Sequence, residues 1–151
     1  MSEKFQFRIY RVLLEKDAIP QVSVGFMNEV HDEDRKIINN IYDLVIKYEQ
    51  NPSHNNKINI DILFQKWFNH TVKHFTNEEK KMREFNYPKY KIHKQEHTKT
   101  LADMHLVFSE WQENKNITIL KEYFVKELPK WIVDHINNMD LETAKFLDEH
   151  Q

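Results

Sequence analysis

Apolar residues recur three and four apart between polar runs along most of this chain, and that spacing predicts helices almost throughout. Ile38, Ile41, Tyr42 and Val45 form one such stripe, continuing a line that begins at His31. Asn28 stands ahead of it as an expected N-cap, with Glu29, Asp32 and Glu33 near the positive end of the helix, and Asn51-Pro52-Ser53 stops it. A second helix is expected from about Ile60 to Phe85, through Leu63, Phe64, Trp67, Phe68, Val72 and Phe75, with a corner at Asn86-Tyr87-Pro88. A third carries Ile92, Leu101, Met104, Val107, Phe108 and Trp111 and ends near Asn114-Lys115-Asn116. A fourth begins near Ile117 and holds Leu120, Phe124, Leu128, Trp131 and Ile132. Pro129 lies inside it and is expected to kink or split it, because proline removes a backbone donor. A short last helix runs from Leu141 to about Glu149. The expected architecture is all-α: an up-down-up-down antiparallel four-helix bundle over 27–140 in a single domain, 1–151. Residues 1–26 read as an irregular arm, closed by Ile19-Pro20 and the apolar Val22, Val24 and Phe26, and 141–151 as the C-terminal helix.

Composition narrows this picture. One glycine and four prolines leave few breaks, which favours long helices over strands and tight turns. A formal charge of -2 from nearly balanced acids and bases gives no electrostatic footprint for nucleic acid. Runs such as Glu79-Lys80-Lys81 are expected on a solvated helix face. The absence of cysteine excludes disulfides, a thiolate nucleophile and Fe–S clusters, and leaves the redox compartment open. The segment MSEKFQFRIYRVLLEKD mixes charges among its apolar residues, unlike a signal peptide, and no run approaches the ~18 apolar residues of a membrane span. The expectation is a soluble cytoplasmic protein with no nucleic-acid or membrane partner.

The chemistry lies in five histidines and two carboxylates: His31, His74, Glu78, His93, His97, His135 and Asp140. His74 and Glu78 are four apart, as are His93 and His97, so each pair lies one above the other on a helix face. One group from the first helix and two from each of the other three would converge inside a bundle, where two adjacent metal ions could be held. Imidazole and carboxylate suit borderline iron. Burying all seven without metal would leave costly unpaired polar groups. His135 and Asp140 need care, because five positions on a regular helix put them about 140° apart. The helix is therefore expected to end or loosen near Asn137-Asn138. His54, His105 and His150 fit no such pattern; Met82 and Met104 read as core filler, Trp67 and Trp111 as packing anchors.

At this point the chain resembles the hemerythrin family, in particular the bacteriohemerythrins. His74-Phe75-x-x-Glu78-Glu79-x-x-Met82 with Tyr87-Pro88, His93-x3-His97, Trp131-x3-His135-Ile136-x3-Asp140 and Met27-Asn28-x-x-His31 carry the resemblance, from about Val22 to Leu147. It implies two irons per chain in an oxo- or hydroxo-bridged centre. His31 and His74 would bind one iron, and His93, His97 and His135 the other, with Glu78 and Asp140 as bridges. The two-histidine iron would keep an open position for dioxygen, in a pocket lined by Trp131 and Ile136. Asp34 departs from the pattern, since the family usually has leucine there, and His70 falls where tyrosine is common. Three residues after His31, Asp34 is expected to point to the open iron, as a pocket residue or an extra ligand. A shifted register would make Asp34 the ligand in place of His31; the Met-Asn start, Asn39 and the apolar stripe favour His31. In a plainer reading Asp34 faces solvent.

The resemblance implies a protein that binds dioxygen reversibly for storage, delivery or sensing, rather than an enzyme. It also implies other small ligands (azide, peroxide, nitric oxide) and a monomer or small homo-oligomer. The alternative is a di-iron redox enzyme of oxidase or peroxidase type, with Asp34 occupying or guarding the open iron. A third is a regulatory module controlled by its iron, for which no appended signalling domain speaks.

Overall fold

The structure, a computed structural model, describes residues 13–150; the first twelve residues of the expected arm lie outside the described residues. Three long helices, α1 (Gly25–Gln50), α2 (His54–Glu84) and α3 (Tyr90–Asn114), are followed by a fourth helical run. That run consists of α4 (Ile117–Glu122), α5 (Leu128–His135) and α6 (Leu141–His150), joined by π-helical turns at Tyr123–Glu127 and Ile136–Asp140. The fold is an all-α four-helix bundle.

The helix ends show where local chemistry overrode the apolar pattern. Asn28 is not the cap of α1, which opens three residues earlier. Its side chain instead reaches back to the arm, accepting from the Val22 amide at 2.9 Å and donating to the Val22 carbonyl at 2.8 Å. Helix α2 starts well before Ile60, because Ser53 caps it by accepting from the Asn56 amide at 3.1 Å. The polar turn His54-Asn55-Asn56-Lys57 has too few apolar residues to show in a hydrophobic stripe. α2 ends in a Schellman arrangement: Asn86 is left-handed, with the Tyr87 amide on Met82 and the Asn86 amide on Arg83. Val72 and Ile92, expected on apolar faces, are exposed. Pro129 does not end the helical run, but it stands in the first turn of α5, where that helix resumes after a π-helical turn. The π-helical turn before it shifts the hydrogen bonding, so that the Leu128 amide donates to Tyr123 five residues back.

Two apolar clusters fill the bundle. The larger contains Ile38, Phe64, Trp67, Met104, Phe108, Trp111 and Phe124, with Phe64 and Phe108 stacked at 4.4 Å. The smaller, at the other end, contains Ile19, Val22, Val24, Met27, Ile136, Ala144 and Leu147. α1 runs from the smaller cluster to the larger and α2 comes back; α3 and the fourth run repeat the alternation, so neighbours are antiparallel. His31, His74, His93 and His135 all lie between the two clusters, walled off from water at both ends.

The arm is held by α1 through paired amide contacts. Asn39 copies what Asn28 does for Val22: it accepts from the Leu14 amide at 2.8 Å and donates to the Leu14 carbonyl at 3.0 Å. Asn39→Ala leaves the Leu14 amide donor unpaired and its carbonyl with only Arg35, and should cost about 1–3 kcal/mol. A urea unfolding midpoint unchanged in Asn39→Ala would show that the arm adds nothing to the stability of the bundle.

Candidate metal centre

All seven side chains expected as ligands are buried and meet in the middle of the bundle. α1 brings His31, α2 His74 and Glu78, α3 His93 and His97, and the fourth run His135 and Asp140. The helix does not end at the Asn137-Asn138 pair. It widens into the π-helical turn, in which the Leu141 amide donates to Ile136 five residues back. Closing one residue later than an α-turn brings residues five apart into line. His135 Nε2 and Asp140 Oδ1 are thereby 3.1 Å apart.

The donor atoms form two groups: His93, His97, His135 and Asp140 on one side, and His31, His74 and Glu78 on the other. The carboxylates straddle them. Asp140 Oδ2 accepts from His31 Nε2 at 2.9 Å, while its Oδ1 lies 3.1 Å from both His93 and His135 Nε2. Glu78 turns Oε2 to His74 Nε2 and Oε1 to His93 and His97, at 3.4 and 3.7 Å. Each carboxylate thus offers one oxygen to either side.

The remaining nitrogens show how the rings are aimed. With Nε2 inward, His93 Nδ1 donates to Thr143 Oγ1 at 2.7 Å and His97 Nδ1 to Glu79 Oε2 at 2.9 Å. Glu79 is therefore not part of a solvated face, as its run with two lysines suggested. Phe75 stacks on His97 at 3.8 Å and Trp131 on His135 at 4.5 Å. Neither Glu79 nor Thr143 was legible as a partner, since nothing in the sequence relates residue 97 to 79 or 93 to 143; Glu79 was visible only as the second acid of the Glu78-Glu79 pair.

Asp34 belongs to neither donor group, so nothing favours it as an extra ligand, while its place on the wall of the cavity beside His31 and His74 fits a pocket residue. Its Oδ1 accepts from His70 Nδ1 at 2.7 Å, and its Oδ2 lies 3.3 Å from His74 Nδ1, on the outer side of that ring. It is partly buried, so the solvent-facing reading does not hold either. His54, His105 and His150 are exposed and remote from the centre. A cavity of about 40 Å³ opens beside His31 and His74, lined also by Asp34, Trp131, Ile132, His135 and Ile136. On the same measure one water needs roughly 10–15 Å³, so there is room for a small molecule.

The electrostatics are lopsided. Burial would push His74 down, but the Glu78 carboxylate, with Asp34 behind, outweighs it and raises the pKa from 6.5 to about 10. Burial together with neighbouring His93 and His135 drives His97 down to about 2. Burial works against the Asp140 carboxylate, yet His135, His31 and His93 hold its pKa well below the usual range.

Among the described residues, ten buried side-chain nitrogens and oxygens have no hydrogen-bond partner, and every one belongs to these seven residues. Native interiors leave few such atoms, and seven of these, the inward Nε2 atoms of His74, His93, His97 and His135 with Glu78 Oε1 and Oε2 and Asp140 Oδ1, converge where a cation would satisfy them. The family model of the Hemerythrin HHE cation binding domain matches residues 22–147. The chain belongs to the hemerythrin family. A similar protein is the bacteriohemerythrin of Aquifex aeolicus (strain VF5), 28% identical over 138 residues that cover 91% of this chain and 100% of that relative. No solved structure is significantly similar. Membership of the hemerythrin family and the two His/carboxylate groups fit a non-haem di-iron protein. Among the described residues, no helix is long and apolar enough to cross a membrane.

A pH dependence follows from His74. Its folded pKa lies above the unfolded value, so its proton stabilises the metal-free fold fully below about pH 6.5; that contribution is lost as pH rises through about 10. A metal binding at Nε2 must displace that proton. Loading at pH 7.5 should therefore release protons, measurable by calorimetry in buffers of different ionisation enthalpy, and metal-free protein should weaken from pH 7 to 10. Loading without proton release would contradict this picture.

Proposed function

We propose that this chain is a non-haem di-iron protein that binds dioxygen reversibly, for storage, delivery or sensing. His31 and His74 hold one iron and His93, His97 and His135 the other, with Glu78 and Asp140 bridging. The observation that carries the reading is the straddling of both carboxylates across two histidine groups, with a cavity beside them that reaches both histidines of the smaller group and one of the larger. Two irons held there supply the electrons and the open coordination position that dioxygen needs.

The chain's own contribution is a dry, poorly proton-donating wall. Ile19, Ile38, Phe75, Met104, Leu128, Trp131, Ile132 and Ile136 make most of it. Apart from Asp34 and the histidines and carboxylate of the centre, its polar members are engaged elsewhere: Thr71 donates to the Trp67 carbonyl, Thr100 to the Glu96 carbonyl, and Arg35 to Asp32 and the Leu14 carbonyl. A wall that withholds protons favours release of the bound molecule over its reduction. Trp131 and Ile136 are the pocket residues in this reading, and azide, peroxide or nitric oxide would enter the same space. The second reading, a redox enzyme of oxidase or peroxidase type, draws support from Asp34, which lines the cavity and connects through His70 to exposed Glu33.

The reduced, iron-loaded protein should gain a visible absorption band on exposure to dioxygen and lose it under vacuum, over repeated cycles. Irreversible oxidation in the first cycle would favour the enzyme instead. Glu78→Ala should bring bound iron from two per chain to none, because the bridge serves both ions, whereas His54→Ala and His105→Ala should keep both. A chain that retained two irons with Glu78→Ala would refute the bridging role.

A further inference from the structure

When every imidazole presents Nε2 to a metal, the group behind each Nδ1 decides how firmly the ring is aimed and how strongly it donates. The two halves of the centre differ in this respect. In the three-histidine half, His93 is anchored by Thr143, His97 by Glu79, and His135 lies flat against Trp131. Among the described residues, His135 Nδ1 has no hydrogen-bond partner, so the stacked Trp131 is its brace. In the two-histidine half, His31 Nδ1 is likewise buried with no partner among them, and its ring has no such stacking. Only His74 Nδ1 faces a polar group, Asp34 Oδ2 at 3.3 Å, within ion-pair reach although off the line of a hydrogen bond.

Asp34 is itself braced. Its other oxygen accepts from His70 Nδ1 at 2.7 Å, and His70 Nε2 lies 3.0 Å from Glu33 Oε2. Glu33 and Asp34 come from α1, and His70 and His74, one turn apart, from α2. The four side chains form a clamp between the two helices.

We propose that Asp34, braced by His70, is the positioning residue of the two-histidine metal. Its charged carboxylate fixes the His74 ring with Nε2 inward and strengthens that nitrogen as a donor to a borderline cation such as iron. This inference rests on the di-metal reading above. Since the anchors of the other half, Thr143, Glu79 and Trp131, lie on α6, the far end of α2 and α5, the effect is confined to one of the two metals. Asp34 acts through His74 and not as a ligand.

The test is an anaerobic titration of the metal-free full chain with iron(II) alone, read as iron bound per chain and as two separate dissociation constants. Asp34→Leu should leave the tighter constant unchanged and weaken the other about 10- to 100-fold. Asp34→Asn keeps an acceptor behind His74 without the charge and should recover part of the loss. His70→Phe, which leaves Asp34 unbraced, should fall between wild type and Asp34→Leu. Should Asp34→Leu fail to fold, the Asn and Phe variants carry the comparison. Equal weakening of both constants, or wild-type constants in all the folded variants, would overturn the proposal. Wild type that takes up fewer than two irons would overturn the di-metal reading, and this inference with it, before any substitution is compared.

Discussion

The rest of this structure is arranged around one electrostatic constraint: seven ionisable or strongly polar side chains lie at the dry centre of a helix bundle with too few protein partners. Unpaired polar groups in such an interior cost several kcal/mol each, and nothing in the surrounding helices supplies the missing donors and acceptors. Their placement makes the cost worth bearing only if a cation completes them. The apolar clusters at both ends exclude water and lower the local dielectric, so a bound cation interacts strongly with the carboxylates that face it. The same logic accounts for the π-helical turn at Ile136–Asp140. A regular helix would have turned Asp140 away from His135, and the widened turn gives up regular hydrogen bonding to place one carboxylate.

The centre is not symmetric, and the asymmetry runs through several independent features. Three of the five rings, and the better anchors, belong to one half. The raised His74 and the Asp34–His70 clamp belong to the other, and the cavity reaches both of its histidines but only His135 of the first. Aromatic rings stacked on His97 and His135 hold the three-histidine half further in place.

Much of this was legible in the sequence. Helical spacing marked four helical runs, because their core stripes are long and strongly apolar. The seven buried polar residues stood out through their spacing and through a family resemblance that the match over 22–147 supports. What escaped has a common physical cause: contacts outside the i, i+3 and i, i+4 spacing of a helix, from 6 to 36 residues apart in sequence. Asn28 looked like a cap, but its amide pairs with the arm. Glu79 looked solvated until α3 brought His97 beside it. Asp34 was expected to point at the open metal position, since only its distance from His31 was visible; its contacts come from α2, through His70. The start of α2 was missed for a local reason, as Ser53 was taken to stop one helix when it caps the next.

The most direct measurement is the thermal unfolding of the same chain, metal-free and iron-loaded, over a range of free iron(II). If the buried cluster is completed by metal, loading must stabilise the fold by mass action, and the melting temperature should climb steadily with free metal. A melting temperature that is the same with and without iron would mean that the bundle tolerates its unpaired core unaided, and would contradict the account at its base.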